Sequence, residues 1–255
     1  MVMTSLPVGA VRGNRPTTNR PHAGAVSQAE KEYRWLPRLA PHLPLAIPQP
    51  VAVGRPDLGY PWPWTVSQWL DGEVATSAAL AQSRKAAVAL AGFLSALQRF
   101  PVLEVPQGDG RALAARDDET RTRIAQVAGV FDAAALTSVW ETALSTSGWN
   151  RPPVWFHGDF HTGNILTVNG RVSAEIDFGG LGVGDPARDM TSAFTLMSRT
   201  TRAVFRAALG VDDPTWARGR GWALATGLNA YCSYAASDAR VAAQTTRQIA
   251  EALIG

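Results

Sequence analysis

Apolar positions recur at helical spacing over most of the chain and alternate as in strands only in a few short stretches. From Ser77 to Phe100 the side chains of Leu90, Phe93, Leu94 and Leu97 fall three and four apart, which predicts one helix with a single apolar face, ended by Pro101. A looser charged stretch, "EVPQGDGRALAARDDETRTR", leads into more helix through Leu144. After Asp189 amphipathic helix dominates, with Pro214 placed to open one of the later helices. Nearer the N-terminus, "SQAEKEYRWL" predicts a helix capped by Ser27, with Glu30 at the capping-box spacing. Pro37, Pro41, Pro44, Pro48 and Pro50 then divide the chain into extended pieces. "PWTVSQWLDGE" has strand character up to a turn at Asp71-Gly72, and "PVWF" is a short strand. "NILTV" and "RVSAEIDF" form a hairpin through Asn169-Gly170. Residues 1 to about 25 hold no period for more than a few positions, and no repeat of 20 to 50 residues is visible.

At 255 residues the chain suits one large domain or two lobes, and 46% hydrophobic with 18% charged content allows a sizeable core. No apolar run reaches the roughly 18 residues of a membrane span, and the N-terminus lacks an apolar signal core. One cysteine, Cys232, rules out an internal disulfide and reads as a small core residue, so a reducing, cytoplasmic setting is expected. The net charge of +3 is carried almost wholly by arginine, with lysine only at Lys31 and Lys85. No basic run interleaved with aromatics occurs, so nucleic-acid binding is not expected.

The densest chemistry lies in "VWFHGDFHTGNILTVNGRVSAEIDFGG", residues 154–180. Asp159 and Asn164 precede the hairpin and Asp177 follows it, and a hairpin brings its ends together. Phosphoryl transfer needs a carboxylate to take the proton of the attacking hydroxyl, two oxygen ligands for Mg²⁺ on the phosphates, and a rigid frame. Kinases meet this with H-x-D-x-x-x-x-N, a hairpin and D-F-G. Here His157-Gly158-Asp159, Asn164 and Asp177-Phe178-Gly179 stand at those spacings. Taken singly, Asp159 reads as a loop cap, Asn164 as a turn residue, and His157 as a structural hydrogen-bonding group. A metal-hydrolase reading through His157, Asp159 and His161 lacks a further ligand at suitable spacing, since His22 and His42 both lie in the irregular head.

"HGDFHTGNIL" with "IDFGGLGVGDPARDM" resembles the aminoglycoside phosphotransferase family from about Ser27 to the C-terminus. The resemblance implies an α+β, protein-kinase-like two-lobe fold: a small, incomplete β-containing lobe over residues 1–70, with 1–25 atypical, and a mainly helical lobe over 71–255. It implies a small-molecule kinase using ATP or GTP and Mg²⁺, with Asp159 as base and Asn164 and Asp177 as metal ligands. Asp189 of "GDPARD" would brace the catalytic loop, Gln68, Trp69 and Leu70 of "SQWLDGE" would meet the adenine, and Glu32 would pair with the nucleotide-binding lysine.

The head departs from that pattern. Only 31 residues precede Glu32, and they carry no G-x-G-x-x-G loop. Lys31 adjoins Glu32 on one helix and points to a different face, which leaves Arg12 as the nearest substitute cation. The head therefore reads as truncated or replaced, with poor order and weak ATP affinity expected. Acceptor candidates are an aminoglycoside-like antibiotic, a macrolide or a related metabolite. An aminoglycoside needs an acidic pocket, for which Asp109, Asp117, Asp118, Glu119, Asp238 and Glu251 are available; Trp222, Tyr231 and Tyr234 either stack on an acceptor or pack in the core. The alternatives to an active kinase are a catalytically impaired, kinase-like binding protein and the metal hydrolase.

Overall fold

The computed structural model describes residues 2–5, 24–60, 62–103 and 112–255. Strands β1 (Val2–Ser5), β2 (Pro50–Gly54) and β3 (Trp64–Gln68) make an antiparallel sheet in the order β1-β3-β2. β1 falls where no strand period is visible in the sequence. Its place comes from the backbone of β3, which pairs Val2 with Gln68 through to Ser5 with Thr65. A Cβ at Gly54 would lie 1.8 Å from the Trp64 ring, so the β2–β3 pair needs glycine at that position.

Helix α1 (Gly24–Leu39) packs on this sheet and on a short turn at Phe178–Gly180. It begins ahead of Ser27, which lies inside the helix, and it runs through Pro37 to Leu39. Proline removes one backbone bond there, but Trp35, Leu36 and Leu39 are buried on the inner face and hold the last turn helical. Trp35 meets Trp155 edge-on, with centroids 4.7 Å apart.

A second sheet has the order β4-β6-β7, from β4 (Glu73–Val74), β6 (Ile165–Val168) and β7 (Arg171–Glu175), while β5 (Val154–Phe156) pairs with β8 (Gly182–Gly184). Asn169 (φ 51°) and Gly170 (φ 70°) both take positive φ, as the tight turn between β6 and β7 requires. The proline-rich segment is tied to the far side of β7: Ala46 N–H donates to Ser173 O at 3.1 Å, and Glu175 N–H donates to Ala46 O at 3.0 Å.

The expected helix from Ser77 to Phe100 is two helices, α2 (Ser77–Leu80) and α3 (Arg84–Arg99). Hydroxyls cause the break: Thr76 accepts from Ala79 N–H and Ser83 accepts from Ala86 N–H, so each starts a new helix. The predicted face of Leu90, Phe93, Leu94 and Leu97 is fully buried. Around it lie α4 (Asp117–Gln126), α5 (Ala133–Ser145), α6 (Thr191–Thr195), α7 (Arg199–Leu209), α8 (Asp213–Tyr234) and α9 (Ala239–Ile254). Asp212 caps α8 and Pro214 stands in its first turn. Cys232 is partly buried against this core. No helix among the described residues is long and apolar enough to cross a membrane.

Phe93 stacks face to face on Phe160, with centroids 5.8 Å apart, and so joins the central helix to the loop carrying Asp159. Phe93→Ala is expected to lower unfolding free energy by about 3–5 kcal/mol in urea titrations, because it empties a fully buried ring site; a loss under about 1 kcal/mol would contradict this packing.

Candidate active site

Asp189, fully buried, organises the loop entering the hairpin. Its two carboxylate oxygens accept the backbone N–H groups of His157 (2.7 Å) and Gly158 (2.8 Å). Burial raises the Asp189 pKa to about 6, and these two N–H donors pull against that rise, so the group is charged at neutral pH. Gly158 has φ +86°, and a Cβ on it would lie 2.1 Å from Gly180 O. Only glycine lets the loop lie against the segment that follows Asp177.

The buried His157 ring sits between the two halves of the site. Nδ1 accepts Asp159 N–H at 3.2 Å, and Nε2 lies 3.1 Å from Ile176 O, so the proton resides on Nε2. Phe178 packs on the ring at 4.4 Å. Burial lowers the His157 pKa to about 4, which makes it a neutral structural group. Both ring nitrogens are engaged, so it cannot ligate the metal of a hydrolase. Among the described residues no group of three or more His, Cys, Asp and Glu could hold a metal ion.

Asn164 Nδ2 donates to Asp159 O at 2.9 Å and to the Asp159 carboxylate at 3.1 Å, while Asn164 O accepts Ile176 N–H at 2.9 Å. One residue on, Asp177 takes a left-handed conformation (φ 63°), and its carboxylate accepts Gly179 N–H at 3.4 Å. Asp159, Asn164 and Asp177 therefore share one site, as the hairpin predicts. Desolvation pushes the Asp159 pKa up, but the hydrogen bond and charge of His161, 3.5 Å away, hold it below the ordinary range. Asp177 is raised by desolvation and then by the charge of Asp159. The charge of Asp159 makes ionisation of Asp177 more costly, a cost that a bound cation would relieve, and the oxygen donors here suit a hard ion such as Mg²⁺.

This loop, hairpin and second carboxylate lie inside residues 17–222, the span that matches the model of the phosphotransferase enzyme family. The chain belongs to that family. Among solved structures it resembles APH(2'')-IIIa in complex with GDP and kanamycin, at 20% identity and TM-score 0.69, over 90% of this chain and 83% of that one. It also resembles the apoenzyme of macrolide 2'-phosphotransferase MphH from Brachybacterium faecium (22% identity, TM-score 0.56, 87% of this chain and 79% of that one). A macrolide 2'-phosphotransferase type I aligns at 19% identity and TM-score 0.59, over 88% and 79% of the two chains. Identities this low show the shared α+β, two-lobe kinase-like fold. A comparison with curated proteins finds no match.

In this phosphotransferase Glu32, Gln68, Trp69 and Leu70, which the sequence leads one to expect beside a nucleotide, lie on α1, at the end of β3 and between β3 and β4. Glu32 is buried and accepts from Gln28 Nε2, one turn back on α1, at 3.0 Å. Desolvation raises its pKa to about 7; the Gln28 hydrogen bond opposes this and the charge of Asp177 adds to it. Lys31, which helix spacing points away from Glu32, is also buried, and its Nζ donates to Gly179 O at 2.6 Å. It reaches the turn after Asp177, a contact that helix spacing alone does not reveal. Gln68 N–H donates to Gln49 O at 2.8 Å, so that donor is unavailable to an adenine. Trp69 and Leu70 follow, half-buried, between β3 and β4. Arg12 and the expected lack of order around it lie outside the described residues.

A third buried acid, Glu175, carries no signal in the sequence because it sits in an ordinary strand pattern. Neither of its carboxylate oxygens has a hydrogen-bond partner, and it lies 3.6 Å from His157 Nε2. Desolvation, then the charges of Asp189, Asp159 and Asp177, raises its pKa well above normal.

Because the folded state lowers the His157 pKa from 6.5 to about 4, the stability linked to neutral His157 is fully present above pH 6.5 and is lost as pH falls toward 4. The difference in unfolding free energy between the wild type and His157→Gln is therefore expected to shrink by roughly 3 kcal/mol across that window in urea titrations, since each tenfold change in proton affinity is worth about 1.4 kcal/mol. A pH-independent difference would show that His157 is not desolvated.

Proposed function

We propose that this family member moves the γ-phosphate of ATP or GTP to a hydroxyl of a small molecule, drawn from aminoglycoside-like antibiotics, macrolides and related metabolites. The observation that carries the reading is the direct contact of Asn164 with Asp159 at one end of a hairpin whose other end presents Asp177. The related structures support it from outside, being described as complexes with GDP, with GDP and kanamycin, and with streptomycin and ATP.

Asp159 is the base. It is ionised and open to solvent, and its position is held by Asn164 Nδ2 and by the His157–Asp189 frame. The acceptor O–H gives its proton to the Asp159 carboxylate as the oxygen bonds to the γ-phosphorus, and the bond to the β–γ bridging oxygen breaks to release the nucleoside diphosphate. Asn164 and Asp177 would hold Mg²⁺, which supplies charge neutralisation on the phosphates. Two protein ligands suffice for an ion that keeps waters and phosphate oxygens as its other ligands.

Lys31 supplies the cation on the nucleotide side. Its reach to Gly179 O sets the ammonium beside the turn two residues past Asp177. Trp69 and Leu70 form the adenine face, with Gln68 closing its strand side. Residues 1–70 and 71–255 act as the nucleotide lobe and the acceptor lobe.

Asp159→Asn is expected to lower kcat by about 10²–10⁴-fold with little change in nucleotide KM, measured as phosphate transfer to an acceptor panel. Undiminished turnover would remove Asp159 from the role; nucleotide binding without any turnover in the wild type would instead support the impaired binding protein. Lys31→Met is expected to raise nucleotide KM about 10-fold and Lys31→Arg to restore part of the loss, since both cations carry phosphate but with different geometry. Equal KM values for wild type and Lys31→Met would exclude that assignment.

A further inference from the structure

We propose that His161 is a positioning residue for the phosphoryl transfer: its ring N–H holds Asp159 Oδ2 and leaves Oδ1 to take the acceptor's proton. This inference rests on the kinase reading above and adds a residue to it.

The chain is anchored on both sides of His161. Phe160 is buried and stacks on Phe93, and Thr162, also buried, donates its N–H to Thr195 Oγ1 at 3.4 Å. Between them His161 is extended (φ −143°, ψ 169°) and partly exposed, on the wall of a cavity of about 290 Å³ that Asp159 also lines. That volume is near the lower end of the range of roughly 300–1,000 Å³ usual for ligand pockets. An acceptor in this cavity meets both side chains. Trp222 and Tyr234, which the sequence offers as acceptor contacts, line it too, while Asp109 lies outside the described residues.

The ring of His161 is oriented by its neighbour. Nδ1 accepts Gly163 N–H at 3.0 Å, so the ring proton resides on Nε2. Nε2 is also the atom that faces Asp159, 3.5 Å from Oδ2. Gly163 makes the room for this pose: a Cβ there would lie 2.7 Å from His161 Cε1 and 3.1 Å from Nδ1.

The other donor to the Asp159 carboxylate reaches the same oxygen. Asn164 Nδ2 lies 3.1 Å from Oδ2, and among the described residues no donor reaches Oδ1 of this half-exposed side chain. An acceptor hydroxyl bonding to the γ-phosphorus therefore passes its proton to Oδ1, while Oδ2 keeps both donors before and after the transfer. The terminal torsion of an aspartate is soft, and two charge-assisted N–H···O bonds on one oxygen stop the carboxylate from turning. At 3.5 Å the His161 contact is longer than a formed hydrogen bond of roughly 2.7–3.2 Å, and contacts of this kind tighten once substrates are bound.

His161 also has a purely structural use, because its Nδ1 caps the short turn Thr162–Asn164. Substitution separates the two uses. Asparagine sets an oxygen close to the place of Nδ1 and reaches no further; glutamine sets an amide nitrogen close to the place of Nε2.

The test follows release of nucleoside diphosphate and phosphorylated product by the full chain with ATP or GTP and Mg²⁺, offering kanamycin, streptomycin, erythromycin and water as acceptors. His161→Asn keeps the cap and loses the donor, and is expected to lower kcat about 10–100-fold with nucleotide KM changed less than about 3-fold and the urea midpoint held. His161→Gln keeps the donor and loses the cap, and is expected to show kcat at least about 5-fold above His161→Asn despite a lower urea midpoint. In ¹⁵N-histidine-labelled wild type, the ring signals that vanish in His161→Asn are expected to show a protonated Nε2. An asparagine variant as active as the glutamine variant, or a bare Nε2, would overturn the inference. Transfer by the wild type to none of these acceptors would overturn the kinase reading, and the role of His161 with it.

Discussion

One buried carboxylate holds the site together. Asp189 accepts two successive backbone N–H groups, from His157 and Gly158, and so sets the path of the chain just before Asp159. Removing such an acceptor would leave two buried donors unpaired, each at a cost of about 1–3 kcal/mol, so the loop has few alternative paths. The contacts around it reinforce that path. Glycine at 158 permits the approach to Gly180, and His157 spans from Asp159 N–H to Ile176 O, joining the loop before the hairpin to the strand after it.

The site also concentrates acids: Glu32, Asp159, Glu175, Asp177 and Asp189 interact electrostatically within one region. The protein divides them by environment. Glu175 has no hydrogen-bond partner and its pKa is driven well up by burial, Asp189 is charged because two N–H groups face it, and Asp159 is charged because His161 stands beside it. Asp177 is left open, with its pKa raised, as the group that gains most from a cation. Negative charge thus collects around Asp159 and Asp177, while the Arg188 guanidinium stacks on Phe156 and Trp222 nearby.

Much of this is legible in the chain before folding. The Asn169-Gly170 turn predicts the hairpin, and the hairpin predicts that Asp159, Asn164 and Asp177 become neighbours. The apolar face of α3 is readable from Leu90, Phe93, Leu94 and Leu97, because periodicity reports burial directly. The start of that helix is not, since Ser83 is a local hydrogen-bond acceptor whose effect appears only once the backbone turns there. Strand β1 escapes the pattern for a related reason: its few residues carry no period, and its partners lie far along the chain in β3, Gln68 for Val2 and Thr65 for Ser5. Helix geometry also misplaces Lys31, because it describes neighbours on one helix but not a turn contributed from position 179.

The sequence by itself determined the chemistry of the loop, its order of acid, amide and acid, and the turn that closes it, because those depend on local spacing and on the φ preferences of Asn and Gly. Tertiary structure alone decided which acids are charged, which cation reaches the turn after Asp177, and that Asp159 is the one carboxylate in the described wall of the neighbouring cavity. Those properties arise from desolvation and from distances between segments far apart in the chain, and neither quantity exists until the segments pack.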